Sequence, residues 1–513
     1  MGLTSNRPVG IADGVSYLEL REHFRRLGHL SEVAAIVEWD QAVNMPAAAG
    51  PSRALAMAGV ARLRHELVAD PRVGDWLSEA EGNEGLTGWE IANLREMRRV
   101  HTRATAIPAD LIQASTQADK ESEQAWRRCR AENDFVSYAP YLERVVELKR
   151  QVAHALAEHL AIQPYDALVD EFEPGITSAQ IDALFEPLVG FLPEFTDRVL
   201  ERQAERPCLA LSGPFPIEAQ RRLGLQLMQS VGFDMSAGRL DVSHHPFCGG
   251  VPRDVRITTR YDEADFTSAL MGILHECGHG KYEQGLPPEW EHQPVGLARG
   301  MALHESQSLL LEMQVCRGPQ FIAFAAPRIR DAFPRAVTAW PESYSIENLT
   351  ALATRVRRSL IRVDADEVTY PAHVLLRYDL ERRLIAGSLR VRELPEAWDD
   401  RMRSLLGLGV SGNDKDGCLQ DVHWPSGAFG YFPLYTVGAM IAAQLFASAK
   451  RVMPTLLDSI GAGDLTPLDG WLRENVWRWA SRYSTNELLV RATGESLNPL
   501  CFIDHLTARY LES

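Results

Sequence analysis

Polar and apolar residues alternate along this chain mainly with a helical period. Over residues 16–39, Leu18, Leu20, Phe24, Leu27 and Val33 recur among glutamates and arginines, a spacing that predicts an amphipathic helix. The same pattern predicts helices over about 52–70, 88–105, 109–131, 139–161 and 178–205, with Pro108, Pro140 and Pro174-Gly175 as starts or breaks. One stretch departs from this period. Val255, Ile257, Thr259 and Tyr261 alternate with Arg256, Thr258 and Arg260, which predicts a strand, and Gly249-Gly250 with Pro252 predict a turn ahead of it. The expected fold class is mainly α with a small β-sheet. No fixed-period repeat, low-complexity tract or Gly/Ser-rich linker divides the chain, so it reads as a single domain over 1–513, with room for two lobes.

The run Trp424 to Ala449 carries no charge and could span a bilayer on length alone. Pro425, Gly427, Gly430 and Pro433 make its first half a predicted turn-rich loop, and only Val437 to Ala449 a buried helix, so no membrane span is expected. A net charge of -16 over 513 residues leaves no general basic surface for nucleic acid or anionic lipid. The seven cysteines (Cys129, Cys208, Cys248, Cys277, Cys316, Cys418 and Cys501) are scattered and form no CxxC pair. They predict a reducing, cytoplasmic setting in place of a disulfide framework or zinc ribbon. Met1 to Asn6 has neither the apolar core of a signal peptide nor the Ser or Thr that a myristoylation signal has at position 6.

Candidate chemistry enters at His275-Glu276-Cys277-Gly278-His279, an HExxH motif inside an apolar helical run. At about 100° per residue, the two histidines lie within about 40° of each other on one helix face and can share one tetrahedral zinc. Glu276 projects beside them, placed to take a proton from an attacking water. Cys277 points the other way and is expected to pack in the core. Tyr282 and Gly285 stand where a metzincin would have its Gly and third His, which excludes that class. The remaining design takes a Glu from a second helix. Glu305, in Met301 to Leu309, fits it, with Gly285, Pro287, Pro288, Pro294 and Gly296 forming the return loop. His304, one position off that face, is expected to support a ligand from behind.

With these residues the chain resembles the carboxypeptidase Taq family of metallopeptidases. Five more motifs of that family follow in order: His245-Pro246-Phe247; Asp254-x-Arg256-x-Thr258; His304-Glu305-Ser306-Gln307; Ile361-Arg362-x-x-Ala365-Asp366; and Gly417-x-x-Gln420-Asp421-x-His423-Trp424. Weaker likeness covers nearly the whole chain, including Trp39-Asp40-Gln41, Met45-Pro46 and Gly430-Tyr431-Phe432-Pro433. Local departures are Cys277, Gly280 where Ala is usual, and about four extra residues between Glu305 and Arg362; none touches a proposed ligand.

The resemblance implies a clamshell-like helical body of gluzincin type, with a deep groove and a small sheet beside one zinc per subunit, and a homodimer. It implies removal of single residues from the free C-termini of peptides, with broad side-chain tolerance. Ligand type favours zinc, and leaves cobalt or manganese open as a substitute. It points to Arg362 as the partner of the substrate carboxylate, with Asp364 and Asp366 able to orient it, and to His245 and Arg256 as groove residues. An alternative for Arg256 is a local ion pair with Asp254. The donor to the carbonyl oxygen in the transition state is left open between His423, Tyr431 and Tyr435. An endopeptidase or dipeptidase on the same zinc framework is the main rival; a non-enzymatic helical scaffold is a second, disfavoured by the intact Glu276.

Overall fold

The computed structural model of the chain describes residues 12–512; the expectation that Met1 to Asn6 carries no signal lies outside them. The predicted helices are present as Ala12–Val43, Gly50–Val68, Gly88–Ala106, Ala109–Glu132, Phe135–Leu160 and Ser178–Glu205. Their ends follow local chemistry. Thr87 with Glu90, and Thr177 with Gln180, close reciprocal caps at two N-termini. Pro140 does not start or break a helix, contrary to expectation. Asp134 caps the Ser137 N–H at 3.0 Å and starts the helix upstream, placing Pro140 in its second turn. The carbonyl that Pro140 leaves unpaired belongs to Val136, which is 83% exposed, so water can satisfy it.

The main apolar core is contiguous from Ala106 to Tyr510, and a smaller cluster around Tyr17, Leu20, Phe24, Val73, Leu77 and Met97 ties the N-terminal helices together. Helix Pro433–Val452 crosses the main core. It begins four residues before the predicted start because Pro433, already set at a helical φ, occupies its first turn. Among the described residues no helix is long and apolar enough to cross a membrane.

The described strands are β1 (Gly238–Val242), β2 (Phe247–Val251) and β3 (Asp254–Thr259), in the order β1-β3-β2. β3 pairs parallel with β1, from Gly238 opposite Val255 to Val242 opposite Thr259, and antiparallel with β2. The expected strand is therefore central, and its backbone is not free to pair with a substrate. Thr258 is buried, and its hydroxyl oxygen accepts from the Ser243 hydroxyl and the Phe247 N–H. Val255 and Ile257 are buried under helix Phe266–Gln284, which β3 braces from behind.

Two glycines set how closely the helices of the site approach. A Cβ at Gly278 would lie 2.5 Å from Ser308 Cα and closer still to the Gln307 carbonyl, so Phe266–Gln284 and Met301–Leu309 meet backbone to backbone there. A Cβ at Gly438 would lie 3.0 Å from the Ala302 carbonyl and 3.1 Å from Glu305 Cβ. The short helix bearing Glu305 is thus held between two others with almost no clearance.

Candidate active site

His275 and His279 stand one turn apart on Phe266–Gln284, a helix capped by Asp265 through the Thr267 N–H at 2.9 Å. Glu305 is delivered by Met301–Leu309, whose first turn is fixed by the buried Glu173 carboxylate accepting the Ala302 N–H at 2.8 Å. The imidazole Nε2 and carboxylate oxygen atoms of the three residues all lie within 4.8 Å of one another. His279 Nε2 is 3.3 Å from Glu305 Oε2, and His275 Nε2 is 3.9 Å from Oε1. Donors on a tetrahedral zinc, with bonds near 2.0–2.1 Å, sit about 3.3 Å apart. Little movement separates this arrangement from coordination.

The outer nitrogens of both imidazoles are engaged, which leaves Nε2 of each for a metal. His275 Nδ1 meets Glu312 Oε2 at 3.0 Å, and Arg317 binds the other oxygen of Glu312 at 2.7 Å. His279 Nδ1 meets His304 Nδ1 at 2.6 Å, while His304 Nε2 meets Glu283 at 2.8 Å. Read outward, His275 Nδ1–H donates to Glu312, while His279 Nδ1–H donates to His304 Nδ1 and His304 Nε2–H to Glu283, so both chains end on a carboxylate, the arrangement that fixes ligating tautomers. His304 stands where the sequence predicts. Glu312 was missed. Its signal was its place seven residues, about two turns, beyond Glu305, obscured by the wide turn Leu310–Cys316.

Charge supports the same conclusion. Burial alone would lower the His275 pKa, but Glu305, Glu312 and Glu276 outweigh it and hold it at about 10. Burial lowers that of His279. Burial would raise Glu305, yet His275, His279 and His304 hold it at about 2. Two imidazoles facing an ionised carboxylate, backed by further carboxylates, form a donor set whose balance calls for a cation. The residues present fit zinc in donor type, number and spacing.

The ligand set opens on a cavity of about 1260 Å³ that is also lined by Glu276, Arg362, Tyr370, Tyr431 and Tyr435. No described residue hydrogen-bonds the Glu276 carboxylate, which leaves it free for a solvent molecule or substrate. Cys277 is fully buried, as expected. Burial raises the pKa of Tyr431 and Tyr435, so both phenols keep their protons as donors. His423 does not line the cavity. It sits behind Tyr435, 3.5 Å from its hydroxyl, with its pKa pushed down to about 4 by burial and by Arg362.

Arg362 lines the cavity, but its fork is largely committed. Nε and Nη2 bind Asp421 Oδ1 at 3.1 and 2.9 Å, and Nη1 donates to the Tyr370 hydroxyl at 2.6 Å. Asp421 also receives Arg377 at 2.7 Å. The expected partners Asp364 and Asp366 do not pair with Arg362. Asp366 instead binds the N–H groups of Arg357, Val368 and Thr369. Arg377 and the pairing role of Asp421 were missed because they join segments distant in sequence, and Tyr370, eight residues on from Arg362, because it sits on the separate helix Tyr370–Ala386.

Two expectations are corrected. Arg256 does not line the cavity; it pairs with Asp254 at 2.6 Å and stacks 4.3 Å over Trp39, which is the sheet-holding alternative. His245 is exposed and packs edge-on against His244, with only its neighbours Pro246 and Phe247 reaching the cavity wall.

The tight seam at Gly278 gives a prediction. Gly278→Ala gains about 1 kcal/mol of helix propensity but forces two backbones apart, costing about 1–3 kcal/mol or more. A lowered melting temperature and reduced metal content per chain, measured on the same sample, are expected.

Comparison with known proteins agrees with this geometry. A family model described as "Carboxypeptidase Taq (M32) metallopeptidase" matches residues 19–510. "Thermostable carboxypeptidase 1" of Thermus thermophilus is 39% identical, over 96% of this chain and 98% of that protein. The solved "Trypanosoma Cruzi Metallocarboxypeptidase 1" superposes with a TM-score of 0.94 at 40% identity, covering 97% of this chain and 99% of that one. An M32 carboxypeptidase from Deinococcus radiodurans gives a TM-score of 0.92 at 36% identity, covering 97% and 99%.

Proposed function

The chain belongs to the carboxypeptidase Taq (M32) family of metallopeptidases, and from that membership and the site geometry we propose how its residues divide the work. It is a zinc-dependent metallocarboxypeptidase acting on peptides at a free C-terminus. The observation that carries this reading is the convergence of His275, His279 and Glu305, each backed from outside, on a cavity that also exposes Glu276.

His275, His279 and Glu305 would hold the zinc. When bound, zinc supplies a Lewis acid that polarises the scissile carbonyl and acidifies water towards a pKa of about 7. Glu276 accepts the proton of the attacking water and delivers it to the departing amine, a role worth about 10²–10⁴-fold. Tyr431 and Tyr435 offer O–H donors to the carbonyl oxygen as it gains charge, and His423 holds Tyr435 from behind. Arg362, its charge balanced by Asp421, orients Tyr370 and keeps the N–H bonds it has left turned to the substrate. Catalysis by one unit is favoured by a core continuous from Ala106 to Tyr510. A homodimer follows from the family resemblance, and the seven free cysteines favour a cytoplasmic setting.

A mass-spectrometric time course on one peptide and its C-terminal amide, with and without chelator, tests the reading. A ladder of single C-terminal losses is expected, restored by zinc after chelation and absent with the amide. Internal cleavage of both peptides would move the chain to the endopeptidases.

A further inference from the structure

The stretch Arg355-Val356-Arg357-Arg358 follows helix Ile346–Ala353 and runs along the cavity wall. Val356 is 1% exposed, while the arginines on either side both line the cavity. The segment is pinned by its backbone. Val356 N–H donates to Gln203 at 2.9 Å and Arg357 N–H to Asp366 at 2.8 Å. Just upstream, the Ala353 carbonyl accepts Arg317 Nη1 at 2.9 Å. That arginine also grips Glu312, which grips His275, so the segment is tied to the metal ligands through two side chains.

Neither the Arg355 nor the Arg357 guanidinium group has a hydrogen bond or ion pair with any described residue. The other arginines nearby are spoken for: Arg358 pairs with Asp197 at 2.6 Å, and Arg362 with Asp421. Of the carboxylates around the cavity, Glu312 is paired with Arg317, and Glu367 with His505 and Arg509. Arg355 and Arg357 are therefore the cavity-lining arginines whose forks are empty, on a backbone that is fixed. A carboxylate is the group that fills such a fork with parallel hydrogen bonds.

We propose that Arg355 and Arg357 form a carboxylate-receiving edge of the cavity that binds substrate, separate from Arg362. This rests on the peptidase reading of the site. The carboxylate has two possible sources, the free C-terminus itself or an acidic side chain in the last residues of the peptide.

The test compares two peptides differing only in a C-terminal Glu or Gln. Wild type, Arg355→Met, Arg357→Met, the double variant and the paired Lys variants are assayed for kcat and KM. The Met variants lose no partner within the fold, so unchanged circular dichroism and melting temperature are expected. A rise in KM of about 10- to 100-fold per lost charge-assisted contact is expected, restored in part by Lys, with a weaker salt dependence than wild type. If the rise is equal for both peptides, the α-carboxylate is bound; if confined to the Glu peptide, the side chain is bound. Calorimetric binding of both peptides to the same variants in a Glu276→Gln background reads the contact without turnover. Unchanged KM, salt dependence and calorimetric affinity in the double variant would overturn the proposal. A wild-type enzyme that releases no terminal residue from either peptide would instead sink the peptidase reading, and the calorimetry still decides the arginines.

Discussion

Glu276→Gln is expected to retain a full complement of metal and lose turnover by about 10²–10⁴-fold. The three candidate ligands are His275, His279 and Glu305, so the substitution leaves the donor set intact. Gln keeps the shape and volume of Glu at a residue 8% exposed, so the fold should not register it. What disappears is the acceptor for the proton of the attacking water. The two readouts are metal content by mass spectrometry and kcat on an unblocked peptide. Retained turnover with retained metal would move the general base to another residue. Lost metal would mean that Glu276 belongs to the ligand set.

The second large effect is on stability. Asp421 sits between Arg362 and Arg377, whose side chains are 6% and 0% exposed. Burial alone would raise its pKa, but Arg377 and Arg362 outweigh burial and hold it well below the usual carboxylate range. Asp421→Asn leaves two guanidinium groups in the interior without a counter-charge, a change of the kind that costs about 3–5 kcal/mol. The sign with pH follows from the depressed folded pKa. The contribution is fully present above the unfolded value near 3.9 and is lost as pH falls through the folded one. Denaturant unfolding of wild type and variant should show a wide gap at neutral pH that narrows below about pH 4. KM should rise as well, because Arg362, which orients Tyr370, loses its anchor. Equal stability at neutral pH would show that the triad contributes nothing net.

What the sequence could show depended on how local each signal was. His275 and His279 are one turn apart on a helix, so their shared face follows from spacing alone. Glu305 was legible because a tetrahedral site short of one protein donor demands it and the intervening prolines and glycines mark a return. Glu312 obeys the same geometry two turns on, but a lone carboxylate on an apolar helix carries no label until the imidazole it touches is known. Non-local pairing was where inference failed. The central place of strand Asp254–Thr259 was not legible, because nothing in Gly238–Val242 advertises a parallel partner. Asp364 and Asp366 looked like the partners of Arg362 because they are close in sequence, whereas Asp421 arrives from 59 residues away. Arg256 was offered two readings, and only the position of Trp39 above it separates them.

The glycine seams bear on how the enzyme can move. Helices that meet backbone to backbone at Gly278, and almost so at Gly438, cannot slide or tilt past one another without collision. The helices bearing His275, Glu305 and Tyr435 must therefore travel as one rigid block. Any hinge that widens the cavity for an incoming peptide is confined to the segments outside that block. A movement confined to those segments would leave the spacing of His275, His279 and Glu305 unchanged.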